Sequence, residues 1–244
     1  MTQLLQHDSP ATSVARPTTP SWIQAYWEGK ALRYNCLHDR LAVVLAELRD
    51  LNPPRLLDVG CSTAALAKAL DAALPGTAYY GCDISQAAVS AIGRTGVVVW
   101  DLNDGRLPFP DTSFNVVVAS GICEYIADLP TFFARVAERL ADGGHFIVSY
   151  INQDHVSRRW RRLRGRSANG DATWQPIRGL SAFVENLRAA GFAPVRQIAT
   201  NGRIRPSTRP LGSTRRRQRF AHPPWVNWAA PQVVFVCTKD RCYA

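Results

Sequence analysis

Between residues 55 and 150 the apolar positions fall in short continuous runs. Arg55–Gly60, Ala78–Asp83, Val97–Trp100, Phe114–Ser120 and His145–Tyr150 are such runs, each followed by turn-forming residues. Between them the apolar residues take up helical spacing. Thr63–Leu74 is closed by Pro75-Gly76, Gln86–Ile92 ends at Gly93, and Leu129–Leu140 is closed by Gly143-Gly144. Strands that are apolar on both faces and alternate with helices predict a parallel sheet covered on both sides. After Tyr150 the alternation loosens. Ser181–Ala190 reads as an amphipathic helix stopped by Gly191, and Val195–Ala199 and Gln232–Cys237 read as two further strands. The predicted fold class is α/β: a doubly wound, mostly parallel seven-stranded sheet with helices on both faces.

Ahead of this unit, His38–Leu51 carries Leu41, Val44, Leu45 and Leu48 on one helical stripe that Asn52-Pro53-Pro54 ends. Ser21–Asn35 holds Trp22, Tyr26, Trp27 and Tyr34, too aromatic for a solvated linker. Residues 1–20 read as a flexible polar arm without the apolar centre of a secretory leader. Residues 201–231 are Arg- and Pro-rich and show no periodicity.

Composition narrows the class. With 46% apolar residues and seven Trp among 244, a wholly disordered chain is excluded. No apolar run approaches the ~20 residues of a membrane span, so a cytoplasmic protein is expected. The six cysteines, Cys36, Cys61, Cys82, Cys123, Cys237 and Cys242, include no CxxC pair. They are expected to be reduced core thiols, with no metal site. The net charge of +10 is segregated: residues 1–150 are acidic on balance, whereas residues 151–220 hold 16 Arg against Asp154, Asp171 and Glu185.

In doubly wound sheets ligands bind outside the carboxyl ends of the strands. The first strand here runs into Asp58-Val59-Gly60-Cys61-Ser62-Thr63-Ala64, and the second ends in Asp83-Ile84. An acidic residue some 20 positions beyond the first turn is placed to accept two ribose hydroxyls. A dinucleotide would need a second glycine for its pyrophosphate, where Ser62 stands, and Asp58 would repel phosphates. The expected ligand is therefore a nucleoside with a cationic or zwitterionic tail.

These residues resemble the first motif, D-x-G-x-G-x-G, of the class I S-adenosylmethionine-dependent methyltransferases. The block Asp101–Ile126 resembles that family's third and fourth motifs, with Asn115 where Asp is usual. The resemblance implies a Rossmann-like methyltransferase fold with S-adenosyl-L-methionine as cofactor. Asp58, Gly60, Cys61 and Ser62 would hold the methionine part, and Asp83 with Ile84 the ribose. Asp101 and Leu102 would face the adenine, with Ser120 beside the methionine. The chain then divides into an arm (1–20), a helical cover (21–54), a cofactor-binding half (55–150) and a substrate-side half (151–244).

A hydroxyl acceptor would need a base. His155, Glu124 and Tyr150 are the catalytic candidates, and Tyr26, Trp27, Tyr125, Asn152 and Arg161 the substrate-binding ones. His7, His38, His145 and His222 have no constellation around them. The expected reaction moves a methyl to oxygen or nitrogen of a small metabolite or biosynthetic intermediate, anionic if the arginines meet it. The rivals are an RNA or DNA methyltransferase gripping its substrate with arginines in segment 158–219, and a cofactor-binding module without catalysis.

Overall fold

The computed structural model describes residues 19–30, 36–152, 154–165, 179–200 and 230–239. The arm up to residue 18, Tyr34, nearly all of 201–231 and the arginines at 215–219 lie outside the described residues.

Among the described residues seven strands form one sheet: β1 (Arg55–Val59), β2 (Ala78–Asp83), β3 (Val97–Val99), β4 (Phe114–Ala119), β5 (Leu140–Ile151), β6 (Phe192–Thr200) and β7 (Gln232–Lys239). Their order is β3-β2-β1-β4-β5-β7-β6. The first five strands are parallel, and β7 runs antiparallel between β5 and β6. The helices are α1 (Ser21–Lys30), α2 (Asp39–Leu51), α3 (Ala65–Ala73), α4 (Gln86–Ile92), α5 (Leu129–Arg139), α6 (Val156–Leu163) and α7 (Leu180–Ala189).

The period of two along each strand divides the core. Leu57, Val59, Val117, Ala119, Phe146, Val148, Val233 and Phe235 pack with Phe132, Phe133 and Val136 of α5 and Phe183 and Leu187 of α7. Their neighbours Leu56, Val116, Val118, Ile147, Val234 and Val236 face α2 and α3, where Val44, Leu48, Leu66 and Leu70 meet them. Both faces are thus apolar, which is why the strands read as continuous runs.

Several boundaries differ from the sequence pattern: β6, expected over Val195–Ala199, spans Phe192–Thr200, and two further differences have a local cause. The first helix of the alternation begins at Ala65 rather than Thr63, because the preceding turn occupies Ser62 and Ala64 in left-handed backbone. The fifth strand starts at Leu140 and runs through Gly143-Gly144, with a register shift against β4. Asn115 accepts the Arg55 amide N–H at 3.1 Å, a bond its side-chain carbonyl makes as well as a carboxylate would. Cys61, Cys82, Cys123 and Cys237 are buried free thiols, and burial pushes Cys237 up to about 12.

Candidate functional site

The carboxyl ends of β1, β2 and β4, together with the turn after β3, surround a cavity that α1 and α2 roof over. From β1 and its turn come Asp58, Gly60, Cys61 and Ser62; from the end of β2, Asp83 and Ile84. The segments after β3 and β4 add Asp101, Leu102 and Ser120. All of the residues expected around a cofactor therefore line one space.

The turn after β1 sets the geometry. Gly60, Ser62 and Ala64 all adopt left-handed backbone, with φ of 75°, 48° and 55°. A Cβ on Gly60 would stand 2.1 Å from Ile122 Cγ2, so only glycine fits there. The Gly60 and Cys61 amides both donate to the Cys82 carbonyl, at 2.8 and 3.1 Å. That bond pair ties the turn to the end of β2.

Two carboxylates define the cavity's character. Asp58 is buried at the end of β1, and its Oδ2 accepts the Tyr79 hydroxyl at 2.9 Å. Burial pushes its carboxyl up to about 7 against the pull of that hydrogen bond; Asp83 adds to the rise and Arg40 opposes it. Asp83 accepts the Ser62 amide on Oδ2 at 2.8 Å and the Ser85 amide on Oδ1 at 3.0 Å. Burial raises its pKa too, although those two N–H groups work in the other direction. Two carboxyls held up in this way favour a ligand that brings a positive charge and hydroxyl donors.

The roof contributes residues that the periodicity does not flag. Arg40, in the first turn of α2, lays its guanidinium on Gly121, where a Cβ would stand 2.5 Å from Nη2. It lines the cavity together with His38, which burial and the Arg40 charge lower to about 4, so that its imidazole is neutral near pH 7. Thr19 donates to Asp101 Oδ1 at 2.7 Å, and the Asn103 amide donates to the same oxygen at 2.9 Å. Asn103 also holds the far wall, donating to the Tyr125 carbonyl and accepting the Ala127 amide. Arg40 and His38 sit at the polar start of an amphipathic helix, where sequence shows only a charged face. Asn103 looks like turn chemistry.

The acceptor-side candidates separate. Glu124, Tyr125 and Trp27 line the cavity, with the Trp27 and Tyr125 rings edge to face at 5.4 Å. Glu124 lies on a 3₁₀ turn, Cys123–Tyr125, and is 5% exposed. Its Oε2 has no hydrogen-bond partner among the described residues, and neither has Ser120 Oγ. Burial raises the Glu124 pKa, while Arg40 and Arg158 work to lower it.

Five expected residues lie elsewhere. Tyr150 shares its strand face with Phe146 and Val148, so its ring packs at 4.7 Å, tilted by 37°, against Phe183 in the α5/α7 core. Its neighbour Ser149 faces the other way and accepts the Gly121 amide at 2.8 Å. Asn152 is fully buried and spends its amide on the Ala230 carbonyl and the Asp154 N–H, fastening β5 to the approach of β7. His155 lies just ahead of α6, its Nδ1 2.7 Å from the Ser157 hydroxyl, and is not a cavity-lining residue. Tyr26 pairs with Lys30, 2.5 Å from hydroxyl to ammonium, away from the cavity wall. Arg161 is exposed on α6.

Chemically, the space presents four carboxyls (Asp58, Asp83, Asp101 and Glu124), a guanidinium, amide groups and apolar walls. That set matches an amino-acid group joined to a nucleoside.

The family model of the methyltransferase domain matches residues 27–197. Among curated relatives, the demethylmenaquinone methyltransferase of Tropheryma whipplei (strain Twist) is 30% identical over 128 residues, 46% of this chain and 53% of that protein. The nocamycin O-methyltransferase of Saccharothrix syringae is 31% identical over 190 residues, 64% of this chain and 66% of that protein. The match thus spans only about half to two thirds of the length of these relatives. Among solved structures, the [4+2]-cyclase SpnF superposes with a TM-score of 0.61 at 20% identity, covering 92% of this chain and 97% of that one.

Proposed function

The chain belongs to the class I S-adenosylmethionine-dependent methyltransferase family, and on that premise we propose that it transfers a methyl group from S-adenosyl-L-methionine to an oxygen or nitrogen of a small molecule. The observation that carries this reading is the pair of buried carboxyls, Asp58 and Asp83, at adjacent strand ends beside the left-handed turn. Asp58 accepts the methionine ammonium and Arg40 pairs with its carboxylate. Asp83 accepts the ribose hydroxyls, with its second-side amide bonds holding the carboxyl in place. Asp101 and the Leu102 amide meet the adenine, and Thr19 fixes the Asp101 carboxyl from above.

When bound, the cofactor supplies a methyl already activated by its sulfonium, so placement is the protein's main contribution. Trp27 and Tyr125 wall off water on the acceptor side. Glu124 takes the acceptor's proton: it is the buried carboxyl at the cavity wall with an oxygen that bonds to none of the described residues. Its raised pKa brings it closer to that of a hydroxyl or ammonium donor at neutral pH. Arg158 supplies positive charge on this side, acting on Glu124 from beyond the cavity lining. A nocamycin O-methyltransferase and a demethylmenaquinone methyltransferase among the relatives support a small organic acceptor.

Calorimetric titration with S-adenosylmethionine and, separately, NAD tests the cofactor assignment. Saturable 1:1 binding of the first alone is expected, and Asp83→Ala should abolish it with the fold intact. Unchanged affinity in that variant would remove the ribose assignment. Glu124→Gln should lower turnover by about 10²–10⁴-fold with cofactor affinity kept, whereas His155→Ala should leave turnover near wild type. The reverse result would return the base to His155. One observation favours a second reading: the fold is shared with a cyclase, so binding of the cofactor without turnover on any acceptor would point to a non-methylating role.

A further inference from the structure

Helix α6 is turned inside out relative to an ordinary surface helix. Its sequence, VSRRWRRL, places Val156, Trp160 and Leu163 at i, i+4 and i+7, on one stripe. In a helix docked on a core that stripe would be hidden. Here the three residues are 53%, 56% and 82% exposed. The side that meets the scaffold is instead basic: Arg158 Nη1 donates to the Asn152 carbonyl at 3.2 Å and to the Pro231 carbonyl at 2.9 Å. Arg159 and Arg161 are exposed on the same short helix, and Arg164 follows it. Residues 156–165 contain no acidic side chain.

We propose that α6 is a docking face for an anionic lipid bilayer. An outward stripe of Trp, Leu and Val flanked by guanidinium groups is the arrangement that lies in a membrane interface, the apolar side chains entering the acyl boundary and the arginines meeting phosphate. No helix among the described residues is long and apolar enough to cross a membrane, so the attachment is peripheral. A polynucleotide would use the arginines and the face of an aromatic ring. Trp160 has the Arg164 guanidinium 4.5 Å above its ring, and Leu163 and Val156 offer a nucleic acid nothing. The helix leaves the carboxyl end of β5, the end of the sheet at which the cavity lies. Arg158, which anchors it, is within electrostatic reach of Glu124. Adsorption through α6 therefore brings the acceptor side of the cavity to the bilayer surface.

The test is co-sedimentation of the full chain with phosphatidylcholine vesicles and with mixed phosphatidylcholine/phosphatidylglycerol vesicles. Binding to the anionic vesicles alone is expected. The combined variant Val156→Ser, Trp160→Ser, Leu163→Ser keeps every charge and should lose about tenfold in partitioning. The single variant Leu163→Ser, at the most exposed of the three positions, should show an intermediate loss if the triple variant melts early. Failure of the wild type to bind anionic vesicles would overturn the proposal. So would equal binding of both stripe variants and wild type, which would leave charge alone responsible. Displacement of the protein from vesicles by a single-stranded oligonucleotide whose own binding depends on the stripe would reassign the face to nucleic acid.

Discussion

At the scale of single residues, the turn after β1 shows that backbone shape has outlasted the glycines associated with it. Ser62 and Ala64 stand where the family motif has glycine, yet both keep left-handed φ values. An L-residue in that region costs about 1–2 kcal/mol, part of which glycine gives back through its looser unfolded state. Ala64→Gly should therefore stabilise the protein by roughly 0.5–1 kcal/mol in denaturant unfolding, with cofactor affinity retained. Asp58 makes a second prediction. With its carboxyl near pH 7 in the empty cavity, an incoming ammonium must draw it into the ionised form. Cofactor affinity should rise between pH 6 and 8 and binding should release a proton, measurable by calorimetry in buffers of different ionisation enthalpy. Asp58→Asn should abolish the release. The strand-end carboxylates were legible because chain order and spacing alone place them in this fold. Tyr150 was not placed correctly, because one step of strand alternation decides which side of the sheet a side chain takes, and Tyr150 falls on the α5/α7 core side.

At the scale of elements, the cover is held by a carboxylate that caps another helix. Glu28 of α1 accepts the Gln86 and Ala87 amides at 2.6 and 3.0 Å and the Ser85 hydroxyl at 3.1 Å, all at the start of α4. Slight burial works against its charge, yet those bonds hold it below the usual carboxylate range. Glu28→Ala removes both a cap and the attachment of α1, and should cost about 1–2 kcal/mol. Faster amide exchange at Gln86 and Ala87 would be the specific sign, and a weaker cofactor complex should follow as α1 loosens. Most of the helices and all of the strands were readable from periodicity, but α6 was not, because its arginines read only as a charge run. The Glu28 attachment was not either, since it joins residues 57–59 positions apart through a surface glutamate that any solvated helix could carry. The same limit hid Arg40, whose role depends on Gly121 lying beneath it.

At the scale of the whole molecule, several carboxyls are held above their ordinary values, which sets how stability depends on pH. Asp58 stands at about 7 in the folded protein against 3.8 ordinarily. Asp83 and Glu124 are raised as well. The folded state thus binds protons that the unfolded chain has already lost, so these groups contribute less to stability as pH rises through the interval between the two values. The empty protein should melt at a lower temperature at pH 8 than at pH 6, and Asp58→Asn should flatten that slope. Saturating cofactor should reverse it by pairing the charge. The sheet order carries a further consequence. Because β7 lies between β5 and β6, those two strands emerge from the ribosome with facing hydrogen-bonding edges that stay vacant until β7 itself, Gln232–Lys239, has been made. During translation the nascent chain is a half-built sheet with open edges, and its exposure to misassembly ends only when the last strand slides into the gap.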